Sequence, residues 1–478
     1  MNSHNGNRRW RDWGPKRIPD TEAERADRLS LAGLHGSVEL LPPESSFWRQ
    51  LRRFVGPAIL VSVGYMDPGN WGTDLQGGAQ FKYGLLWVVA LASLMAIFLQ
   101  LIAARLGVVT GKDLAQCCRD WYPRWTRYPN WLLSEVAIAA TDLAEALGSA
   151  VALNLLFHIP LLWAIVITAF DVVVLLMLRG VGMRTLESIV VVLILTIAAC
   201  YFIEIFVLPQ TRPSFLEMGR SLIAPNIRQP GVMFVAIGII GATVMPHNLY
   251  LHSALVQTRK LQKDDDSVGR AIKFNTIDTS VSLSIAFLIN AAILVLAAIV
   301  FFGKESVQVP SGGLIALGPD SDWIRVAYLT LAPLVGTSIA STLFAVGLLA
   351  SGQSSTITGT LAGQVVMEGF MQWRMLPWVR RLVTRLVAVV PAIIIVGVRG
   401  DSSITNLLTL SQVVLALQLP FAMLPLLLFA TSHKRMGKWK LGRSLLIAGW
   451  GSAIVITALD IYGLPDAMRS AWQVIMGG

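Results

Sequence analysis

Eleven apolar runs, each close to the length that crosses a bilayer, follow one another along this chain with short polar stretches between them. Hydrocarbon about 30 Å thick takes roughly 20 apolar residues per helical crossing. The runs lie near 55–75, 84–106, 131–156, 160–178, 186–207, 233–258, 279–302, 325–350, 383–398, 404–430 and 445–463. None alternates in the manner of a membrane β-strand, so they are read as helices. Composition agrees, since 54% of the 478 residues are hydrophobic and 14% charged, too apolar for ordinary soluble domains. The fold class is all-α and integral to the membrane.

A formal charge of +10 raises nucleic acid as a partner, and its distribution argues against one. With the N-terminus in the cytoplasm, 31 of the 39 Lys and Arg fall on the cytoplasmic side and 8 outside. That is the positive-inside bias of a multi-pass membrane protein. Eleven crossings leave the tail from Leu464 onward as a short external C-terminus. Residues 1–45 are polar, with clustered charge and no apolar core, and are expected to form a disordered or surface-lying cytoplasmic arm. Asp264, Asp265 and Asp266 read as a solvated loop tip. Cys117, Cys118 and Cys200 have neither disulfide-framework nor metal-ligand spacing. Compact loops and the absence of targeting sequence suggest a bacterial inner membrane, with the bilayer as partner and no obligate protein partner.

Two of the crossings are interrupted at matching positions. The first contains Asp67-Pro68-Gly69-Asn70 and the sixth Met245-Pro246-His247-Asn248, a shared x-Pro-x-Asn pattern five helices apart. An odd offset sends the two halves through the membrane in opposite senses. Inverted repeats with broken helices point to a secondary transporter whose site lies near the midplane. Proline removes a backbone donor and clashes with the preceding turn, so Pro68 with Gly69, and Pro246, open the helices and free carbonyls there. Backbone opened at that depth must line a cavity or bind something.

A carboxylate at the bilayer centre costs about 2.5–3.5 kcal/mol on insertion scales, so Asp67 needs a partner, and a cation is the obvious one. Asp67 and Asn70 offer oxygen, Met245 a thioether, and the backbone around Ala242 a carbonyl. Oxygen alone suits magnesium or calcium, whereas a soft sulfur shifts preference toward manganese, iron, cobalt or cadmium. For proton movement, Asp142 and Glu145 share one helix face. His247 adjoins the second break, with His252 a little over a turn further on.

The stretches "GYMDPGNWGTDLQ" and "IGATVMPHNLYLHSALVQTR" resemble the two signature broken helices of the Nramp family of proton-coupled divalent metal transporters. "ATDLAEALGSAVALNLLFHIPLL", "ASGQSSTITGTLAGQVVMEGF" and "LSQVVLALQLPFAMLPLL" agree in order, from about Phe54 to Gly463. The resemblance implies a LeuT-type architecture: five-helix repeats over about 55–207 and 233–430, inverted relative to each other, plus an extra helix at 445–463. It implies metal ligation by Asp67, Asn70, Met245, the Ala242 carbonyl and, in some conformations, Gln412. It further implies a proton route through Asp67, Asp142, Glu145 and Arg385, with Arg385 compensating the two third-crossing carboxylates, and assigns Gln100 to gating or to that route. A magnesium-transporting branch of the family lacks the sulfur ligand, so Met245 places this chain on the manganese and iron side. Trp71 and Gly72 depart from the Phe-Ala pair more usual beside the motif, which bears on rate or external gating.

The expected function is proton-coupled import of divalent transition metals by alternating access, with metal and proton as cargo and no resident cofactor. An organic-solute symporter of the same architecture is an alternative, although Asp67 would repel a carboxylate substrate. An intramembrane metalloenzyme lacks His-Glu-x-x-His spacing, and a passive channel lacks a filter sequence. Asp171, Glu204, Asp278, Asn290 and Asp460 are buried in the runs and receive no role.

Overall fold

A computed structural model describes residues 35–42, 44–171, 183–203, 213–223, 229–262, 264–308, 313–318, 321–335, 338–399 and 404–476. The described residues are nearly all helical. A short amphipathic helix α1 (Phe47–Phe54) leads into a first crossing made of two pieces, α2 (Pro57–Gly64) and α3 (Pro68–Phe81). Then come α4 (Leu86–Thr110), a short linking helix α5 (Leu114–Trp121), α6 (Arg127–Phe157), α7 (Leu161–Thr168), α8 (Met183–Phe202) and α9 (Phe215–Ile223). The sixth crossing is again in two pieces, α10 (Val232–Val244) and α11 (Pro246–Leu255). After it stand α12 (Asp265–Val300), a small antiparallel hairpin of β1 (Ser306–Gln308) and β2 (Leu314–Ala316), α13 (Trp323–Val335), α14 (Ser338–Met371), α15 (Pro377–Arg399), α16 (Ile404–Thr431) and α17 (Arg443–Met476).

Eight of the described helices are long and apolar enough to cross a membrane. The first crossing is not among them: Tyr65, Met66 and Asp67 part its two pieces, whereas Met245 alone interrupts the sixth. The run expected as one crossing over 325–350 is shared between α13 and α14, and α14 continues to Met371. Its second half is rich in Ser, Thr and Gly, so hydropathy underrates it. Ser351, Ser354, Ser355, Thr356, Thr358 and Thr360 are nevertheless buried, and α14 packs along α6. Small and hydroxylated residues suit an interface between membrane helices, where backbones approach closely and side chains bond across. At the C-terminus, α17 runs to Met476 where a short tail was expected from Leu464. Asp171 and Glu204 fall outside the residues whose side chains are described.

The arm is not free along its whole length. Gly36 and Val38 donate N–H bonds to the carbonyls of Gln257 and Thr258, each 3.0 Å, and Lys260 donates to the Val38 carbonyl at 3.0 Å. Val38 is buried. The main chain of the segment after α11 thus captures the arm by strand pairing, which its polar composition does not announce. Nearby, the start of α2 is pinned from several sides. The Asp278 carboxylate accepts from Gly56 N–H at 3.1 Å and Ala58 N–H at 3.0 Å. The Val55 carbonyl accepts from Arg184 and Arg259, both at 2.8 Å. Glu187 joins those two guanidinium groups at 2.9 and 2.8 Å. Asp278, given no role from sequence, caps the first piece of the first crossing.

Candidate functional site

Both breaks arise the same way. In an α-helix the carbonyl of residue i accepts from the N–H of i+4. Pro68 and Pro246 stand first in α3 and α11, so the carbonyls of Gly64 and Ala242 lose their helical donors. Asp67 is extended, with φ −69° and ψ 167°. Met245 adopts φ 32° and ψ 105°, a positive φ on a residue with a side chain. Such backbone costs of order 1–3 kcal/mol and persists where the surroundings enforce it. Asp67 matches Met245, Pro68 matches Pro246, and Asn70 matches Asn248 in this register.

Not every freed carbonyl faces the site. The Tyr65 carbonyl accepts from Asn290 Nδ2 at 2.8 Å. The Met66 carbonyl accepts from the Trp71 indole at 3.3 Å and from Ser351 Oγ. Asn290 therefore holds the first break open. Trp71 does so too, fully buried between Tyr201 and Phe344 with ring centroids 5.0 and 5.3 Å away.

What remains at the breaks is a set of buried acceptors. Asp67 Oδ1 accepts the Asn70 N–H at 2.8 Å, capping α3, while Asp67 Oδ2 has no hydrogen-bond partner. Asn70 Oδ1, Asn248 Oδ1 and Gln412 Oε1 are unpartnered as well. Asp67, Asn70, Met245, Asn248 and Gln412 are each no more than 1% exposed. Gln412 reaches the breaks because two glycines let α16 approach. A Cβ on Gly69 would stand 1.9 Å from Gln412 Nε2, and one on Gly241 would stand 1.9 Å from the Gln412 carbonyl. Asn248, which the pattern flagged without a role, donates Nδ2 to the Met245 sulfur at 3.5 Å and so fixes the thioether. Each buried polar atom left without a partner costs about 1–3 kcal/mol. Several are gathered at the two helix breaks, an arrangement whose chemistry suits a cation.

A second cluster lies one turn away on α6. Gly148 packs against the Pro68 ring, and Glu145 and Asp142 follow below it on that helix. Arg381 of α15 forms ion pairs with both carboxylates, Asp142 in a short contact and Glu145 at 2.8 Å, all three being at most 1% exposed. Ser355 and Thr356 donate to the two Glu145 oxygens at 2.8 and 3.2 Å. Arg385, expected to compensate these carboxylates, donates to the Asp142 main-chain carbonyl at 2.8 Å. The side chain bridging both acids is Arg381, which sequence reasoning passed over. Two turns before Asp142, Glu135 pairs with Arg380 at 2.7 Å, extending the row of acid and arginine along α6 and α15.

On the other flank, His252 Nδ1 lies 2.9 Å from Gln100 Oε1, and Gln100 Nε2 donates to the Tyr65 hydroxyl at 2.7 Å. This chain links α11, α4 and the first break. His247, beside the second break, is 2% exposed and its Nδ1 is unpartnered.

Two broken helices, a buried acceptor set between them and charged rows beside it define a secondary transporter of the LeuT-type fold. The chain belongs to the Nramp family: the profile described as natural resistance-associated macrophage protein-like matches residues 58–466. It is 48% identical over 451 residues to the divalent metal cation transporter MntH of Nostoc sp., covering 93% of this chain and 97% of that one. It is 46% identical over 435 residues to MntH of Listeria monocytogenes serotype 4a, covering 91% and 94%. Among solved structures, the Eremococcus coleocola manganese transporter mutant H236A superposes with a TM-score of 0.81 at 39% identity, covering 94% of this chain and 96% of that one. The nucleobase-cation symporter MHP1 shares the fold at TM-score 0.54 and 12% identity. A multi-pass membrane transporter, and not an enzyme, is what this family comprises.

Proposed function

We propose that this chain imports divalent transition-metal ions, manganese and iron foremost and cobalt and cadmium also, together with protons by alternating access. The observation that carries the proposal is the character of the site: Asp67 Oδ2, Asn70 Oδ1 and Gln412 Oε1 are buried acceptors without donors, beside a thioether held in place by Asn248. A pocket that gathers an acidic carboxylate and amide oxygens suits a cation and opposes an organic carboxylate, which disfavours the solute-symporter reading. The likeness to the MntH divalent metal cation transporters and to the manganese transporter supports the same substrate class.

In this reading the metal is cargo. It exchanges most of its waters for Asp67, Asn70, Met245, the Ala242 carbonyl and Gln412. Sulfur penalises hard magnesium and calcium and costs manganese or cadmium little. Protons move past Asp67 to Glu145 and Asp142, whose negative charge Arg381 balances, while His247, His252 and Arg385 flank the route. The charge distribution supports a cytoplasmic N-terminus and an external C-terminus, and the compact loops a plasma membrane, the bacterial inner membrane.

The test is uptake into sealed liposomes under an inward proton gradient. Manganese and cadmium are expected to enter, with calcium and magnesium excluded until Met245→Ala is made. Equal magnesium uptake by the natural protein would sink the sulfur argument, and no metal flux would sink the proposal.

A further inference from the structure

Helix α1 takes no part in the site, yet its surface has an unusual make-up. Arg49, Arg52 and Arg53 are all exposed, and at 3.6 residues per turn they occupy one arc of the helix. Among the described residues none of the three guanidinium groups enters an ion pair. Trp48, on the flank of that arc, is 75% exposed and Phe47 42%. The opposite arc is occupied: Phe54 stacks on Phe274 at 4.9 Å, with Leu51 packed beside it. Exposed Lys273 lies 5.8 Å over the Phe47 ring, a fourth cation at the patch.

Position narrows the partner. Pro57, the first residue of α2, follows Arg53 by four residues, a reach of at most about 14 Å, so the arginines stand where the chain enters the membrane. An indole prefers the interface between hydrocarbon and water, and clustered cations beside it are drawn to anionic lipid. Guanidinium forks also match phosphate oxygens. A soluble acidic partner would account for the arginines but not for the exposed Trp48 at that depth. We infer that α1 is a docking surface for anionic phospholipid headgroups. The grip reaches the first crossing directly, because the Arg53 carbonyl accepts from Arg184 and that of Val55, two residues on, from Arg184 and Arg259.

The test uses the full chain in phosphatidylcholine vesicles, with or without phosphatidylglycerol, one lipid at a time carrying brominated acyl chains that quench tryptophan. The share of quenching lost in Trp48→Phe reports the lipid beside α1. At about fivefold per basic residue, phosphatidylglycerol is expected to be enriched there at least fivefold over phosphatidylcholine. The preference should vanish in Arg49→Gln/Arg52→Gln/Arg53→Gln and survive in the matching triple Lys variant. Equal quenching by both lipids in the natural chain, or an unchanged preference in the Gln variant, overturns the inference. Neither readout requires transport, so failure here is separable from failure of the proposed function.

Discussion

Arg381 balances two buried carboxylates at once. It is fully buried and bridges Asp142 and Glu145, both equally buried. Removing it leaves two carboxylates with one compensating cation fewer, and breaking a buried pair by deleting one partner costs about 3–5 kcal/mol. Arg381→Gln is therefore expected to lower the thermal midpoint in detergent sharply, and the double variant Arg381→Gln/Glu145→Gln to recover part of the loss. Independent, additive losses would show that the three groups do not act as one unit. The sequence "RRLVTR" presents Arg380, Arg381 and Arg385 within six residues, and only the rotation of α15 against α6 decides which faces which acid. Spacing could say that arginines and acids would meet; it could not say that Arg380 takes Glu135 and Arg381 takes the other two. The proposed metal ligands stand out in the sequence for the opposite reason. Asp67 and Met245 sit beside prolines in otherwise apolar runs, so local chemistry alone betrays them.

At the scale of elements, α5 shows how a short helix between crossings is fastened. Asp113 caps it through a reciprocal capping box with Gln116, at 2.8 and 3.2 Å, and the Leu114 N–H reaches Ser253 Oγ of α11 at 2.9 Å. Arg119 adds a bond to the Gly369 carbonyl near the end of α14, at 2.7 Å. Burial, reinforced by nearby Glu368, pushes Asp113 up to about 7, outweighing the N–H donors of Gln116 and Ala115 and the nearness of Arg119. A folded-state value above the unfolded one means that stability is fully present below about pH 4 and is lost as pH rises through 7. Relative to Asp113→Asn, the natural protein is expected to lose stability between about pH 4 and 7, read as diverging melting curves. Parallel curves across that range would show that the carboxyl stays ionised. Capping boxes are readable from sequence, since Asp113 and Gln116 stand at the required spacing. The burial that shifts Asp113 comes from α11 and α14, more than a hundred residues away.

For the whole molecule, the inverted repeat explains why the site is chemically lopsided. Equivalent positions of the two breaks carry Asp67 and Met245, so the first half contributes a hard carboxylate and the second a soft thioether. The asparagines have diverged in use in the same way: Asn70 leaves its oxygen toward the site, whereas Asn248 spends its amide on the Met245 sulfur. The repeat itself was visible as x-Pro-x-Asn, but this division of labour was not, because it depends on where each amide points. It has a measurable consequence. Under the proposed ligation, losing Asn70 removes an oxygen ligand, which harder manganese needs more than cadmium does. Losing Asn248 leaves the ligands in place but frees the thioether, and loss of such an outer partner typically costs 10–100-fold in metal affinity. Calorimetry on the purified protein should find that Asn70→Ala weakens manganese more than cadmium. Asn248→Ala should weaken cadmium about tenfold and manganese less. Equal losses of both metals in both variants would mean that the two halves do not supply ligands of different hardness, and the sulfur would then play no part in choosing the cargo.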